Sequence, residues 1–191
     1  MKKQNFFKTQ YKKSYNFLKS SSDFVIISLG IFCAFIILGF AFPIFFQKQI
    51  FEFLNQMVLE FEGLGIFKTI LKIFLNNSLA SILSIVFGVF LGIYPILSAV
   101  INGYLVGFVS RFSVEQEGLF ILWRFLPHGI FEIPAIIFSF AIGLKIGIEL
   151  LKSKKNFKNN LLEAGRIFIF VILPLIILAA IVEGILVFYI N

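Results

Sequence analysis

Residues 73–110 read IFLNNSLASILSIVFGVFLGIYPILSAVINGYLVGFVS, a stretch of 38 residues that contains no charged side chain. As one helix it would measure roughly 57 Å at about 1.5 Å per residue, whereas a bilayer core needs only ~30 Å. Gly92-Ile93-Tyr94-Pro95 lies in its middle, and proline favours a break in a helix. The stretch therefore predicts two segments, about 76–94 and 96–111. The second is short, so the pair is either two full spans or a broken, re-entrant pair.

The composition of the whole chain agrees with a membrane location. Of its 191 residues, 59% are hydrophobic and only 14% are charged, and the mean hydropathy is +0.98. A soluble domain carries about 25% charged residues, so the composition indicates an integral membrane protein. Several spans with short connections fit this length, but a separate soluble domain does not. Cys33 is the single cysteine, which excludes an intramolecular disulfide.

Outside 73–110 the sequence predicts a leader, an interfacial helix and three more spans. Residues 1–23 are polar and basic, and the uncharged run of about 24–47 is too long for a signal-peptide core, so it is a retained span. Residues 48–72 mix charges with apolar positions at helical spacing, which is typical of a helix lying in the interface. Further spans are predicted at about 127–149 and 166–190. The expected fold is an all-α polytopic transmembrane helix bundle of about five spans, in one membrane domain over 24–191.

The distribution of basic residues predicts the orientation. The leader carries six Lys and Arg residues, and the region 145–166 carries another six. The connections on the opposite side carry five, namely Lys48, Lys68, Lys72, Arg111 and Arg124. Because cytoplasmic loops are enriched in Lys and Arg, five spans place the N-terminus in the cytoplasm and the C-terminus outside, in the cell membrane. The basic clusters are expected to contact anionic lipid. They lack a folded domain that would present them to nucleic acid, so no nucleic-acid partner is expected.

A small number of polar residues lie inside the predicted spans. Glu132 lies roughly 7 Å into the bilayer from one side, and Glu183 lies roughly 25 Å from the other, so the two carboxylates reach a similar depth. Carboxylates cost a few kcal/mol at such places and are rarely accidental. His128 shares a helix face with Glu132 at i and i+4. The sequence thus predicts a polar intramembrane cluster, which comprises Asn76, Asn77, Asn102, His128, Glu132 and Glu183.

Three roles for this cluster follow from its chemistry. Hydrogen-bonded side chains would hold helix to helix, while exchangeable carboxyl protons would suit a proton or solute path. For Asn102, the corresponding alternatives are a bond to a neighbouring helix and the lining of a cavity. A catalytic site is disfavoured, since the chain has no zinc-protease signature, no intramembrane Ser-His pairing and no paired aspartates. A single histidine does not assemble a typical zinc site alone, so no metal and no cofactor are predicted.

Small and helix-breaking residues recur at spacings that suit helix packing. Glycines four apart stack on one helix face and let two backbones approach each other in lipid. The same motif supports a homodimer as the alternative use. Pro127 suits a first helical turn, where its missing N–H is harmless. The residues with a predicted breaking or packing role are Gly88, Gly92, Pro95, Gly103, Gly107, Pro127, Gly129, Pro134, Gly143 and Gly147.

Four clusters in this order resemble the stage II sporulation protein M family of polytopic membrane proteins. They are Phe74-Leu75-Asn76-Asn77; Gly88 to Gly92 with Pro95, Asn102-Gly103 and Gly107; Pro127-His128-Gly129 with Glu132, Pro134 and Gly143; and Pro174 to Ala180 with Glu183. The resemblance covers about 74–184. It implies a membrane component that assembles with peptidoglycan-remodelling proteins and is itself a recruiter or scaffold, not the hydrolase.

The expected function is therefore that of a non-catalytic membrane scaffold or assembly partner for other membrane or envelope proteins. The alternative is a permease subunit, in which intramembrane glutamates line a polar path. An ATP-driven permease would need a separate ATPase, because the chain has no Walker A pattern.

Overall fold

The computed structural model describes residues 2–152 and 157–190, without the side chains of residues 2–4, 128 and 190. Within these ranges the chain is helical and has no strand. Its α-helices are α1 (Lys2–Lys19), α2 (Ser22–Ala41), α3 (Gln47–Phe61), α4 (Ile66–Val86), α5 (Ile93–Glu117), α6 (Leu126–Lys152), α7 (Phe157–Ile167) and α8 (Leu173–Ile190). Two short 3₁₀ segments, Phe87–Val89 and Leu119–Phe125, follow α4 and α5, and a π-helical turn, Phe168–Ile172, joins α7 to α8.

Five helical segments among the described residues are long and apolar enough to cross a membrane. They are Ser22–Ala41, Ile66–Val89, Ile93–Glu117, Gly129–Lys152 and Phe157–Tyr189. The predicted all-α transmembrane bundle of five spans is therefore confirmed. The second segment of the central stretch is α5, which has 25 residues and is long enough for a full crossing.

The bounds of several segments differ from the predicted ones for identifiable reasons. Helix α2, the first span, ends at Ala41 because Pro43 follows, and the residue before a proline disfavours helical geometry. The predicted interfacial helix of 48–72 is interrupted around Gly63, which has a φ of 72°. Its first part is α3, and its second part, from Ile66, belongs to the next span. Lys72 continues that span because its Nζ lies 2.6 Å from Glu60 Oε2 at the end of α3.

The break in the central stretch lies before Pro95. Leu91 and Gly92 take positive φ values of 58° and 72°, and α5 then begins at Ile93. Pro95 lies in the first turn of α5, where a missing N–H costs no hydrogen bond. At its far end α5 continues past the predicted limit of 111 because Arg111 pairs with Glu115, four residues on, at 2.7 Å.

The last span, formed by α7, the π-helical turn and α8, also begins earlier than predicted, at Phe157 and not at about 166. A π-helical turn, Phe168–Ile172, lies just before Pro174. Proline has no N–H for the carbonyl four residues earlier, and its ring crowds that carbonyl, so the helix widens there.

Helix α6 is the centre of the bundle. Residues 139–147 are all buried, and α6 contacts each of the other four spans, α2, α4, α5 and α8. A helix that is apolar and buried on every side suits such a central place. One buried cluster joins α6 to α4, α7 and α8 through Ile142, Ile146 and Ile176, and another joins it to α2 and α5 through Ile137 and Phe140.

Glycines let helix backbones touch where α5 meets α2, and where α6 meets α4 and the connection that follows α4. A Cβ added at Gly103 or Gly107 would overlap carbonyl oxygens of α2, and one added at Gly143 would overlap the carbonyl of Ser84 in α4. In the same way Gly147 lies against the backbone of Gly92, and Gly88 lies against that of Gly143. By contrast, a Cβ at Gly30 would meet nothing within 4 Å, and one at Gly129 would meet only Ile133 at 3.6 Å.

Candidate functional site

Glu132 and Glu183 come from two helices, α6 and α8, that pack against each other. Both side chains are half-buried. Glu132 lies one turn before the fully buried Ala135 on α6, and Glu183 lies one turn after the fully buried Ala179 and Ala180 on α8. Each carboxyl group therefore lies one helical turn from a fully buried part of its helix.

The remaining members of the predicted polar cluster occupy different surroundings. Asn77 is half-buried on α4, which packs against both α6 and α8, whereas Asn76 on the same helix is exposed. Asn102 is exposed on α5, and its Nδ2 donates a hydrogen bond of 2.7 Å to the carbonyl of Ser98 in its own helix. His128 belongs to the first turn of α6, but its side chain lies outside the described part of the chain. The structure thus places Asn77 on a helix next to the glutamate pair and Asn102 on the lipid-facing side of α5.

A densely packed core lies between the glutamate pair and the opposite end of the bundle; it is mostly apolar but also contains the buried serines Ser81, Ser84 and Ser139. Beyond Ala135, the residues of α6 that face α4 and α8 are Ile142 and Ile146, which are 0% and 1% exposed. Ile172 and Ile176 of the last helix are buried against them. At the same level Gly88 touches the backbone of Gly143, so α4 and α6 leave no space between them there.

A second polar cluster lies at the opposite end of the bundle and was not predicted. The side chain of Lys145 on α6 is 7% exposed. Its Nζ donates hydrogen bonds to Ser21 Oγ at 3.0 Å and to Ser20 Oγ at 3.2 Å, at the corner between α1 and α2. The ammonium group also lies 4.0 Å from the ring centroid of Phe17, a cation–π contact. One lysine therefore fastens the α1–α2 corner to the central helix.

Glu149 extends this second cluster to α7. Its Oε1 lies 3.8 Å from Lys145 Nζ, and its Oε2 accepts a hydrogen bond from the buried Asn160 Nδ2. The sequence prediction counted Lys145 only as a basic residue at a cytoplasmic boundary. The signal for more was present, because Lys145 has a glutamate four residues on and lies between Gly143 and Gly147, in a run that is otherwise uncharged.

The two clusters differ in what they can do. The glutamate pair offers acidic groups within the membrane-spanning part, which suits either helix association or proton exchange. The Lys145 cluster offers satisfied hydrogen bonds, which suits a structural joint between helices. Among the described residues no group of three His, Cys, Asp and Glu side chains lies together in a way that could hold a metal ion.

Comparisons with known proteins agree with this architecture. The family model described as stage II sporulation protein M matches residues 28–187, which include all five spans except the first residues of α2 and the last residues of α8. An uncharacterized protein of Methanocaldococcus jannaschii is 32% identical over 128 residues, which is 62% of this chain and 56% of that protein. The chain thus spans a little over half the length of this relative. No solved structure matches this chain.

Proposed function

This chain belongs to the stage II sporulation protein M family, and from that premise we propose that it is a non-catalytic membrane scaffold that assembles with other membrane or envelope proteins. The observation that carries the proposal is the packing of α6. A central helix that packs against four others, through buried isoleucines and phenylalanine and through glycines on its α4 side, is suited to a rigid platform. In this proposal the glutamate pair joins α6 to α8 and has no part in chemistry.

The connection between α5 and α6 is the surface proposed to dock partners. This 3₁₀ segment, Leu119–Phe125, is mostly apolar and exposed: Phe120 is 90% exposed, and Leu119 and Trp123 are exposed as well. Arg124 is paired with Glu117 at 3.1 Å, which leaves the apolar side chains as the main contact surface. A contiguous exposed apolar patch marks a site of interaction with a protein or with the membrane, and here we propose a protein.

The proposed orientation follows the distribution of basic residues. With the N-terminus in the cytoplasm, the segment Leu119–Phe125 and the C-terminus lie outside the cell, while the corner between α1 and α2 and the start of α7 lie on the cytoplasmic side. The docking partners are then envelope proteins. For the family this chain resembles, these are proteins that remodel peptidoglycan.

Cysteines at two exposed positions test the scaffold and its orientation together. In a Cys33→Ser background, intact cells carrying Phe120→Cys or the matched Asn159→Cys are treated with a membrane-impermeant photoactivatable maleimide. We expect labelling at position 120 only, followed after illumination by discrete adducts with envelope proteins. Labelling at 159 and not at 120 would contradict the orientation. Labelling at 120 without any protein adduct would contradict the scaffold.

The rival function, a permease subunit that works with a separate ATPase or with protons, is favoured by one observation, two half-buried carboxyl groups on the packed helices α6 and α8. Vesicles containing the purified chain and a pH-sensitive dye distinguish the two. The scaffold predicts a proton leak equal to that of empty vesicles, for the natural chain, for Glu132→Gln and Glu183→Gln, and for the control Glu52→Gln at an exposed site. A proton flux that the natural chain and Glu52→Gln show, and that Glu132→Gln and Glu183→Gln lose at equal protein content, would refute the scaffold proposal and support the permease.

A further inference from the structure

Helix α1 turns back along the side of the bundle. From the corner at Ser20 and Ser21 it runs beside α7 towards the π-helical turn. Near its start the rings of Phe6, Phe7 and Tyr11 lie 6.4, 6.2 and 5.9 Å from the ring of Phe170. Phe170 belongs to the uncharged run Ile167–Val182, which forms the middle of the fifth candidate span, Phe157–Tyr189. The first half of α1 therefore lies beside the apolar surface of the last span.

The faces of α1 are sharply different. Ser14 is buried against the bundle at 1% exposure, whereas Phe7, Tyr11 and Tyr15 remain more than half exposed along one flank. The face opposite Ser14 carries the exposed polar side chains. A shallow depression of ≈ 480 Å³ lies along this face, lined by Asn5, Lys8, Thr9, Lys12, Lys13 and Asn16. An aromatic flank beside a lysine face is the pattern of a helix that lies in a membrane interface.

The positive charges of this face are not neutralised by the rest of the described chain. Every ion pair among the described side chains joins residues from Lys48 onwards. Within residues 2–152 and 157–190, the lysines of α1 whose side chains are described therefore have no carboxylate partner; they are Lys8, Lys12, Lys13 and Lys19. A row of lysines that faces outward from the bundle complements anionic phospholipids in charge. Long lysine side chains reach the headgroups from a helix that lies below them.

We propose that the lysine face of α1, formed by Lys8, Lys12 and Lys13, binds the headgroups of anionic phospholipids. The aromatic flank of the helix lies against the acyl chains, next to Phe170. The lipid surface is continuous with the lipid-exposed side of the last span, so α1 extends the membrane contact of the bundle. This inference does not depend on the scaffold proposal.

Lipid binding by the full chain tests this directly. The protein in neutral detergent is incubated with equal amounts of phosphatidylglycerol and phosphatidylcholine, and native mass spectrometry counts the bound lipids. We expect preferential binding of phosphatidylglycerol, which Lys8→Gln/Lys12→Gln weakens about tenfold. The control Lys48→Gln/Lys68→Gln, which removes equal charge at the opposite end, leaves binding unchanged. Equal loss in both variants, no loss in either, or full displacement of the lipid by inorganic phosphate would overturn the proposal.

Spin labels report where α1 lies. In the Cys33→Ser background, labels at Tyr11→Cys and Lys12→Cys are compared in vesicles containing phosphatidylglycerol. The label at 11 is expected to be relaxed by oxygen, which concentrates in lipid, and the label at 12 by a water-soluble nickel complex. A label at 11 that only the nickel complex reaches would place α1 in water. That result would refute the lipid site and leave this face to a protein partner.

Discussion

Gly143→Ala is expected to unfold at a clearly lower temperature than the natural chain. The added methyl group would overlap the backbone carbonyl of Ser84 and press on Pro95, so α4 and α6 must move apart. A backbone carbonyl cannot turn aside as a flexible side chain can. Overpacking a well-packed interface costs about 1–3 kcal/mol, and occasionally more, and we expect the upper end of that range here. The midpoint of thermal unfolding of the purified chain in detergent measures the effect.

Gly30→Ala is the matched control for this substitution. Gly30 also lies within a span, in α2, but an added Cβ would meet nothing within 4 Å. The control is expected to unfold at the temperature of the natural chain or slightly above it, because alanine favours the helix over glycine. Equal midpoints for the two variants would show that α4 and α6 do not touch at Gly143, and the rigid platform would lose its main support.

The number and order of the spans could be predicted from the sequence because hydropathy reports them directly. The uncharged stretch 73–110 is too long for one crossing, and the structure indeed breaks it between Val86 and Ile93. The ends of the spans could not be predicted in the same way. Charged residues such as Lys72 and Arg111 suggest a loop, yet both continue a helix because each has a nearby carboxylate. Glu115 lies four residues after Arg111 in the same helix and can be read from the sequence, whereas the pairing of Lys72 with Glu60 is known only once α3 and α4 are placed.

Part of the candidate site could be predicted from the sequence, because charged residues are unusual within membrane spans. Glu132 and Glu183 stand out within apolar runs, and the structure places them, half-buried, on two helices that pack against each other. Lys145 carried only a partial signal, a glutamate four residues on and two flanking glycines, because a lysine near the end of an apolar run normally reaches water. Its partners Ser20 and Ser21 are more than a hundred residues away in sequence. A contact of that kind depends on how α1 and α2 meet α6, which periodicity cannot show.

Lys145→Met is expected to loosen the corner between α1 and α2. Methionine keeps the length of the side chain but removes the two hydrogen bonds to Ser20 and Ser21 and the cation–π contact with Phe17. Removing one partner of a buried charged pair costs about 3–5 kcal/mol. Since Glu149 keeps its bond from Asn160 and remains partly exposed, the expected loss here is about 2 kcal/mol. Thermal unfolding of the purified chain gives the size of the loss.

A cysteine in place of Ser14 tests whether the loosening occurs at α1, because Ser14 is buried on that helix at 1% exposure. In the Cys33→Ser background, Ser14→Cys should react slowly with a maleimide in the natural chain and several times faster when Lys145→Met is added. Lys48→Met, at a lysine whose side chain is 86% exposed, serves as the control and should leave the rate unchanged. If Lys145→Met lowered the stability but left the labelling rate at Ser14 unchanged, the lysine would act within α6 alone. Its bonds to the two serines would then not be what holds α1 against the bundle.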